Sequence, residues 1–217
     1  MKKSTHFSEA DLKRIEEAVK KSEVGTSGEI VPVFVEKCGR YTASVYKGSL
    51  IFSLITFLIL ILIDRFVPGM SIYDPLNYLF GVGLMGLAGG LLVYYVPAFQ
   101  RSLVGPDNLQ EMAFHKANQF FLNEEVFKTR DRTGIMIFVA WFEHQVIVMA
   151  DKGISKVVEQ DSWDHIVDDM VKSIKKGELT QGMEIAIGQC AEILREKGIE
   201  ARPDDTDELS NKLRTES

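Results

Sequence analysis

GSLIFSLITFLILILI (residues 48–63) and LNYLFGVGLMGLAGGLLVYYV (residues 76–96) are two runs without a single charged side chain. As a helix the first covers about 24 Å, a little short of the roughly 30 Å hydrocarbon core of a bilayer. Extension back to Val45, with Lys47 snorkelling to the interface, closes the gap. The second run is long enough alone. Tyr46, Tyr73, Tyr78, Tyr94 and Tyr95 lie near the ends, where amphipathic rings favour headgroups. Two buried helices of a soluble protein are the alternative, but runs this long and charge-free carry the transmembrane signature. Asp64 to Pro75 between them holds Pro68, Gly69 and Asp74, which is turn chemistry. The runs therefore read as a hairpin, with everything before and after it on one side of the membrane.

The 217 residues carry a formal net charge of -6. Without the hairpin, the remainder is one ordinary domain. Net acidity leaves no Lys/Arg surplus to replace phosphate counterions, which argues against nucleic acid as a partner. Cys38 and Cys190 have neither CxxC nor metal-type spacing, so no disulfide framework is expected and a reducing compartment fits. MKKSTHFSEADLKRI has basic residues without a following apolar segment, so the hairpin itself is expected to direct insertion. Lys37, Arg40 and Lys47 precede the first span and Arg101 follows the second, whereas Arg65 in the connection is offset by Asp64 and Asp74. That bias places the soluble part in the cytoplasm, at the inner face of the cell membrane.

Upstream of the hairpin, Ser8 is placed to cap a helix with Asp11 at its third position, and Phe7 with Leu12 can form a hydrophobic staple. Leu12, Ile15, Ala18 and Val19 give that helix one apolar stripe. Residues 30–35 form a short strand in which Pro32 removes a ladder donor, predicting an edge or a bulge. Downstream, residues 108–123 read as a helix. After Thr129-Arg130-Asp131-Arg132-Thr133-Gly134 come IMIFVAWF and QVIVMAD, apolar at nearly every position and broken at Glu143-His144. They predict two strands buried on both faces and joined as a β-hairpin. Residues 161–174 form a helix with Ile166, Val167, Met170, Val171 and Ile174 on one arc and Asp161, Asp164, His165, Asp168 and Asp169 on the other. Gly177 ends it, and a last helix spans 180–197. Residues 202–217 are polar and predicted to be structureless.

TGIMIFVAWFEHQVIVMADKGI (133–154) resembles the central β-hairpin signature of the TPM domain family. TSGEIVPVFVE (26–36) is similar to that family's first strand with its Gly-Glu, and GELTQGMEIAIGQCAEIL (177–194) to its closing helix. The resemblance implies an α/β fold, a small sheet flanked by helices as a TPM-like sandwich. Here a two-helix transmembrane hairpin interrupts it. The implied organisation is a domain split between 1–44 and 98–200, the hairpin at 45–97, and the tail from 201. Family members include acid phosphatases, calcium-binding proteins, and assembly or repair factors for membrane complexes such as photosystem II. They usually enter the secretory path by an N-terminal signal, so a hairpin set between the first strand and the next helix is a departure.

Candidate chemistry is sparse. Gly81-Val82-Gly83-Leu84-Met85-Gly86 fits GxGxxG, but a dinucleotide site needs that turn between a strand and a helix, and here it lies inside an apolar run. Gly83, Gly86 and Gly90 better suit close approach of another helix, from the hairpin itself or a second chain. Asp161, Asp164 and Asp168, joined by Asp151 at the strand end, are the candidate ligands for calcium or magnesium. A solvated helix face is their alternative, and turn formation is the alternative for Asp151, Glu143 and His144. Glu29 matches a family position. No GxSxG, HExxH or Walker motif occurs. The expected function is a membrane-tethered TPM-like assembly, stability or interaction factor for membrane proteins. The alternatives are a divalent-metal-dependent phosphatase and a calcium-binding module without turnover.

Overall fold

The computed structural model describes residues 6–67, 74–201 and 208–216. It divides into two compact units, one of residues 1–38 with 112–217 and one of residues 39–111.

The first unit is built on a four-stranded mixed sheet in the order β3-β2-β1-β4. β1 (Glu29–Val35) and β2 (Gly134–Ala140) pair in parallel, with Glu29 opposite Gly134. β3 (Gln145–Ala150) returns antiparallel to β2, and β4 (Arg214–Glu216) runs parallel to β1. Three helices cover one face: α1 (Glu9–Glu23), α7 (Gln160–Lys175) and α8 (Leu179–Glu196). Ile15 and Val19 of α1, Trp163, Ile166 and Met170 of α7, and Met183, Ile187 and Leu194 of α8 meet Ile30, Phe34, Ile135 and Ile137 there. Each such buried side chain stabilises the fold by roughly 1.5–3 kcal/mol. The opposite face, with Val31, Val33, Met136 and Phe138, is covered by Ala113, Ala117, Phe120 and Phe121 of α5 (Pro106–Asn123).

The α1 cap forms as the sequence predicts. Asp11 N–H donates to Ser8 Oγ at 3.2 Å, and Ser8 N–H donates back to the Asp11 carboxylate at 2.9 Å. Gly177, at φ +82°, terminates α7. Cys190 is buried against the sheet, and both cysteines are thiols.

Three expectations are corrected. Pro32 lies in an interior strand rather than at an edge or bulge. Glu29 N–H points to Thr133 on the β2 side, while Ile30 N–H points away to Glu23 Oε1. Position 32 therefore faces the side of Ile30, and β4 begins to pair only at Val33. The missing proline donor costs no ladder bond. β3 is not buried on both faces, because as the sheet edge it is half-buried throughout, whereas β2 is fully buried. Finally, residues 208–216 are not a structureless tail. Arg214–Glu216 extends the sheet, Lys116 Nζ pairs with Glu216 at 2.7 Å, and Arg214 Nε pairs with Glu124 at 2.8 Å.

The second unit consists of α2 (Thr42–Phe66), α3 (Pro75–Tyr95) and α4 (Pro97–Val104). Asp74 caps α3 by accepting Leu76 N–H at 2.9 Å, with Pro75 as the first helical residue. Pro68, Gly69 and Tyr73 of the predicted turn lie outside the described residues. A Cβ on Gly86 would stand 2.2 Å from Ser53 Oγ, one on Gly89 2.5 Å from Phe52, and one on Gly48 2.4 Å from Val93. α2 and α3 approach as closely as they do because these positions lack side chains.

Candidate functional site

The sheet end where β1 and β2 start and β3 finishes holds two buried carboxylates of the first unit, Glu29 and Asp151. Asp151 follows Ala150 and is 4% exposed. Its Oδ1 accepts Lys152 N–H at 2.7 Å, capping the short α6 (Lys152–Ser155), and accepts Arg132 Nη2 at 2.9 Å. Arg132 Nε lies 2.6 Å from Oδ2. The guanidinium thus clamps the carboxylate through one hydrogen bond, to Oδ1, and a close ion-pair contact at Oδ2.

Local backbone holds this pair. Arg132 adopts a left-handed φ of +60° in the turn before β2, and Thr133 N–H donates to Thr129 Oγ1 within the same turn. Arg132 C=O accepts Gly153 N–H at 2.9 Å. A Cβ on Gly153 would come within 2.5 Å of Asp131 O and 2.6 Å of Arg132 O, so glycine is required for the approach. Beside it, the buried Glu29 carboxylate accepts Glu208 N–H at 3.0 Å and Leu209 N–H at 3.2 Å, tying the returning chain to the head of β1.

Asp161, Asp164 and Asp168 are exposed on α7, and Asp164 accepts Gln160 Nε2 at 3.1 Å. His165 is exposed on the same helix. Among the described residues no group of three or more His, Cys, Asp or Glu side chains is placed to hold a metal ion. Asp151 meets Arg132 rather than the acidic arc. Asp151 also lies away from the usual ligand crevice of an α/β sheet. That crevice opens beyond the carboxyl ends of parallel strands, and Asp151 stands where β1 and β2 begin.

The carboxyl end of β2 carries different features. Glu143 is buried and its Oε1 accepts Cys38 N–H at 2.9 Å. Burial, reinforced by the Glu143 carboxylate, pushes the Cys38 thiol well above its ordinary range, so it is a poor nucleophile. Burial alone raises Cys190 to about 12. Burial also lowers Lys37, whose ammonium sits 4.1 Å from the Phe142 ring centroid. His144 takes the left-handed turn position at φ +56°, as its place at the β-hairpin tip predicts. A cavity of about 390 Å³ opens here, lined by Val139, Trp141, Val146, Val171, Ile174 and Lys175 among others.

Sequence reasoning missed Arg132 and the tail contacts to Glu29. An arginine in a polar turn directly before a fully buried strand was the available signal for the first. Nothing in the sequence marks the second.

A family model described as the TPM domain matches residues 91–193. A search of curated proteins finds no match. Among solved structures, the NMR structure of BA42 protein from the psychrophilic bacterium Bizionia argentinensis is similar to this chain. The TM-score is 0.58 at 22% identity, over 99% of this chain and 99% of that one, a likeness of fold. The matched stretch takes in the end of α3, α4, α5, β2, β3, α6, α7 and most of α8.

Proposed function

We infer that this chain is a membrane-tethered TPM-domain protein, spanning the bilayer twice through α2 and α3 and serving as an assembly, stability or interaction factor for membrane proteins. The observation that carries the reading is an inverted burial pattern. The residues that α2 buries are Ser44 and Gly48, and those of α3 are Gly86, Gly89, Gly90 and Val93. Leu50, Leu54, Ile55, Leu58, Leu62, Leu79, Phe80, Leu84 and Leu87 are turned outward. In water each such side chain forgoes roughly 1.5–3 kcal/mol, and the contiguous patch far exceeds what soluble monomers expose. Lipid removes that penalty and leaves small-residue packing as the helix–helix contact. Both helices are also long and apolar enough to cross a membrane. The charge bias around the spans supports a cytoplasmic TPM domain at the inner membrane.

The test is alkaline extraction of membranes holding the full chain, with cysteine labelling in intact cells. The protein should stay in the pellet, and a membrane-impermeant maleimide should label Asn77→Cys but not Lys13→Cys. Release by carbonate would overturn the tether, and the opposite labelling would overturn the orientation. Cross-linking in native membranes should recover a membrane protein or a second copy. Recovery of neither would remove the interaction role.

A further inference from the structure

We propose that the β3 edge is a docking site for an extended segment of a partner polypeptide, which adds as a fifth strand beneath the flank of α7. The proposal concerns the first unit and is independent of the membrane reading. Asp151 N–H donates to Gly134 O, which makes those two a hydrogen-bonded pair of the antiparallel ladder. Alternation then points the N–H and C=O groups of Val146, Val148 and Ala150 away from β2. Among the described residues no backbone bond meets those groups. QVIVMA also lacks the lysine, proline or bulge with which sheet edges are ordinarily blocked.

The flank of this edge is shaped. Val146, Val148 and Ala150 turn their side chains to the α7 face of the sheet. A residue paired opposite Val146 projects to the same face, where the 390 Å³ cavity lies between Val146 and Val171, Ile174 and Lys175 of α7. Strand addition uses this combination, with main-chain bonds for affinity and pockets for alternate side chains for selectivity. A leucine or phenylalanine fits the apolar walls, and exposed Lys175 at the cavity favours a carboxylate beside it. The occupant is therefore an extended segment with apolar residues at alternate positions and an acidic residue two positions from the one that enters the cavity, on the same face. A second copy of this chain fits less well, because a continuous sheet through β3 would bring a second α7 over the same edge.

The experiment follows amide exchange at Val146, Val148 and Ala150 by NMR, using the full chain in detergent micelles. The probe is a short peptide alternating leucine with threonine, with glutamate in place of its last leucine so that the carboxylate shares the leucine face. A control peptide carries N-methyl groups on the amides that would face β3. The three amides should exchange freely in the protein alone and become protected on peptide addition. The methylated peptide should bind about tenfold more weakly, as loss of one or two hydrogen bonds requires. Lys175→Glu should weaken the acidic peptide several-fold while Lys176→Glu does not. Protection already present without peptide would mean that the chain covers its own edge. Protection that grows with protein concentration would assign the edge to self-pairing. Equal binding of the methylated peptide would mean that apolar contact alone is being read. Each of these results overturns the proposal.

Discussion

Removing the Arg132 guanidinium should destabilise the first unit by about 2 kcal/mol, a figure set between two limits. Stripping one partner from a fully buried ion pair costs about 3–5 kcal/mol, and an exposed pair is worth about 0–1 kcal/mol. Asp151 is 4% exposed, but the arginine side chain is 45% exposed, so water can reach part of the vacated site. Asp151→Asn keeps an oxygen for Lys152 N–H and leaves a solvated arginine, so it should cost only about 1 kcal/mol. In the double variant Arg132→Ala/Asp151→Asn no buried carboxylate is left alone. Its cost should be about 1.5 kcal/mol, below the sum of the singles, giving a coupling of about 1.5 kcal/mol. Urea unfolding of the full chain in detergent, followed by tryptophan fluorescence, reads this unit selectively because Trp141 and Trp163 both belong to it. If Arg132→Ala costs no more than Asp151→Asn and the cycle shows no coupling, the clamp is only a surface contact. The account of Asp151 as a neutralised structural carboxylate then fails.

Loss of the α1 cap in Ser8→Ala should cost about 1 kcal/mol in the same assay. The Ser8 hydroxyl and N–H hold the Asp11 carboxyl below its ordinary range. That contribution is complete above the usual carboxylate range and is lost as pH falls through the depressed value, so Asp11→Ala should converge on wild type in acid. Glu143→Gln removes a negative charge beside Cys38, lowering its pKa and speeding alkylation at pH 8.5 several-fold, and an unchanged rate would contradict the assigned cause. In the apolar hairpin, Gly86→Leu should abolish disulfide cross-linking between cysteines placed on α2 and α3. Gly83→Leu, with no atom within 4 Å of its added Cβ, should leave it intact. Calcium titration should leave the amides of Asp161, Asp164 and Asp168 unmoved, whereas saturable shifts would show convergence that the separate carboxylates do not provide.

Periodic features were readable in the sequence because each is set by local chemistry. The Ser8–Asp11 cap, the stripes of α1, α7 and α8, and the apolar runs of β1 and β2 needed only neighbours in the chain. β4 was illegible because Arg-Thr-Glu has no strand pattern and is held by backbone pairing to β1, with Lys116 and Glu124 securing its side chains. The edge position of β3 was likewise hidden. Its residues are as apolar as those of β2, and strand order is not written in composition. The acidic residues misled by proximity in sequence. Asp151 looked like a companion of Asp161, but its nearest charge comes from a turn on the other side of β2. Of the glycines singled out for helix approach, Gly86 and Gly90 face the hairpin's own α2 and Gly83 faces outward, while Gly48 and Gly89 went unnoticed.

The order in which the sheet is strung has a consequence for biosynthesis. The chain leaves the sheet at Val35 and re-enters it at Gly134, and β1 must wait beside the ribosome while the whole second unit is made. If α2 and α3 collapse first, the loop that closes β1 onto β2 becomes about four times shorter, which lowers its entropic cost by about 1.2 kcal/mol. β1 gains its neighbour on the other side only when Arg214 to Glu216 emerges. Among the described strands the first is thus completed by the fourth, and a nascent chain cut short before β4 would carry an unfinished sheet that quality control can recognise.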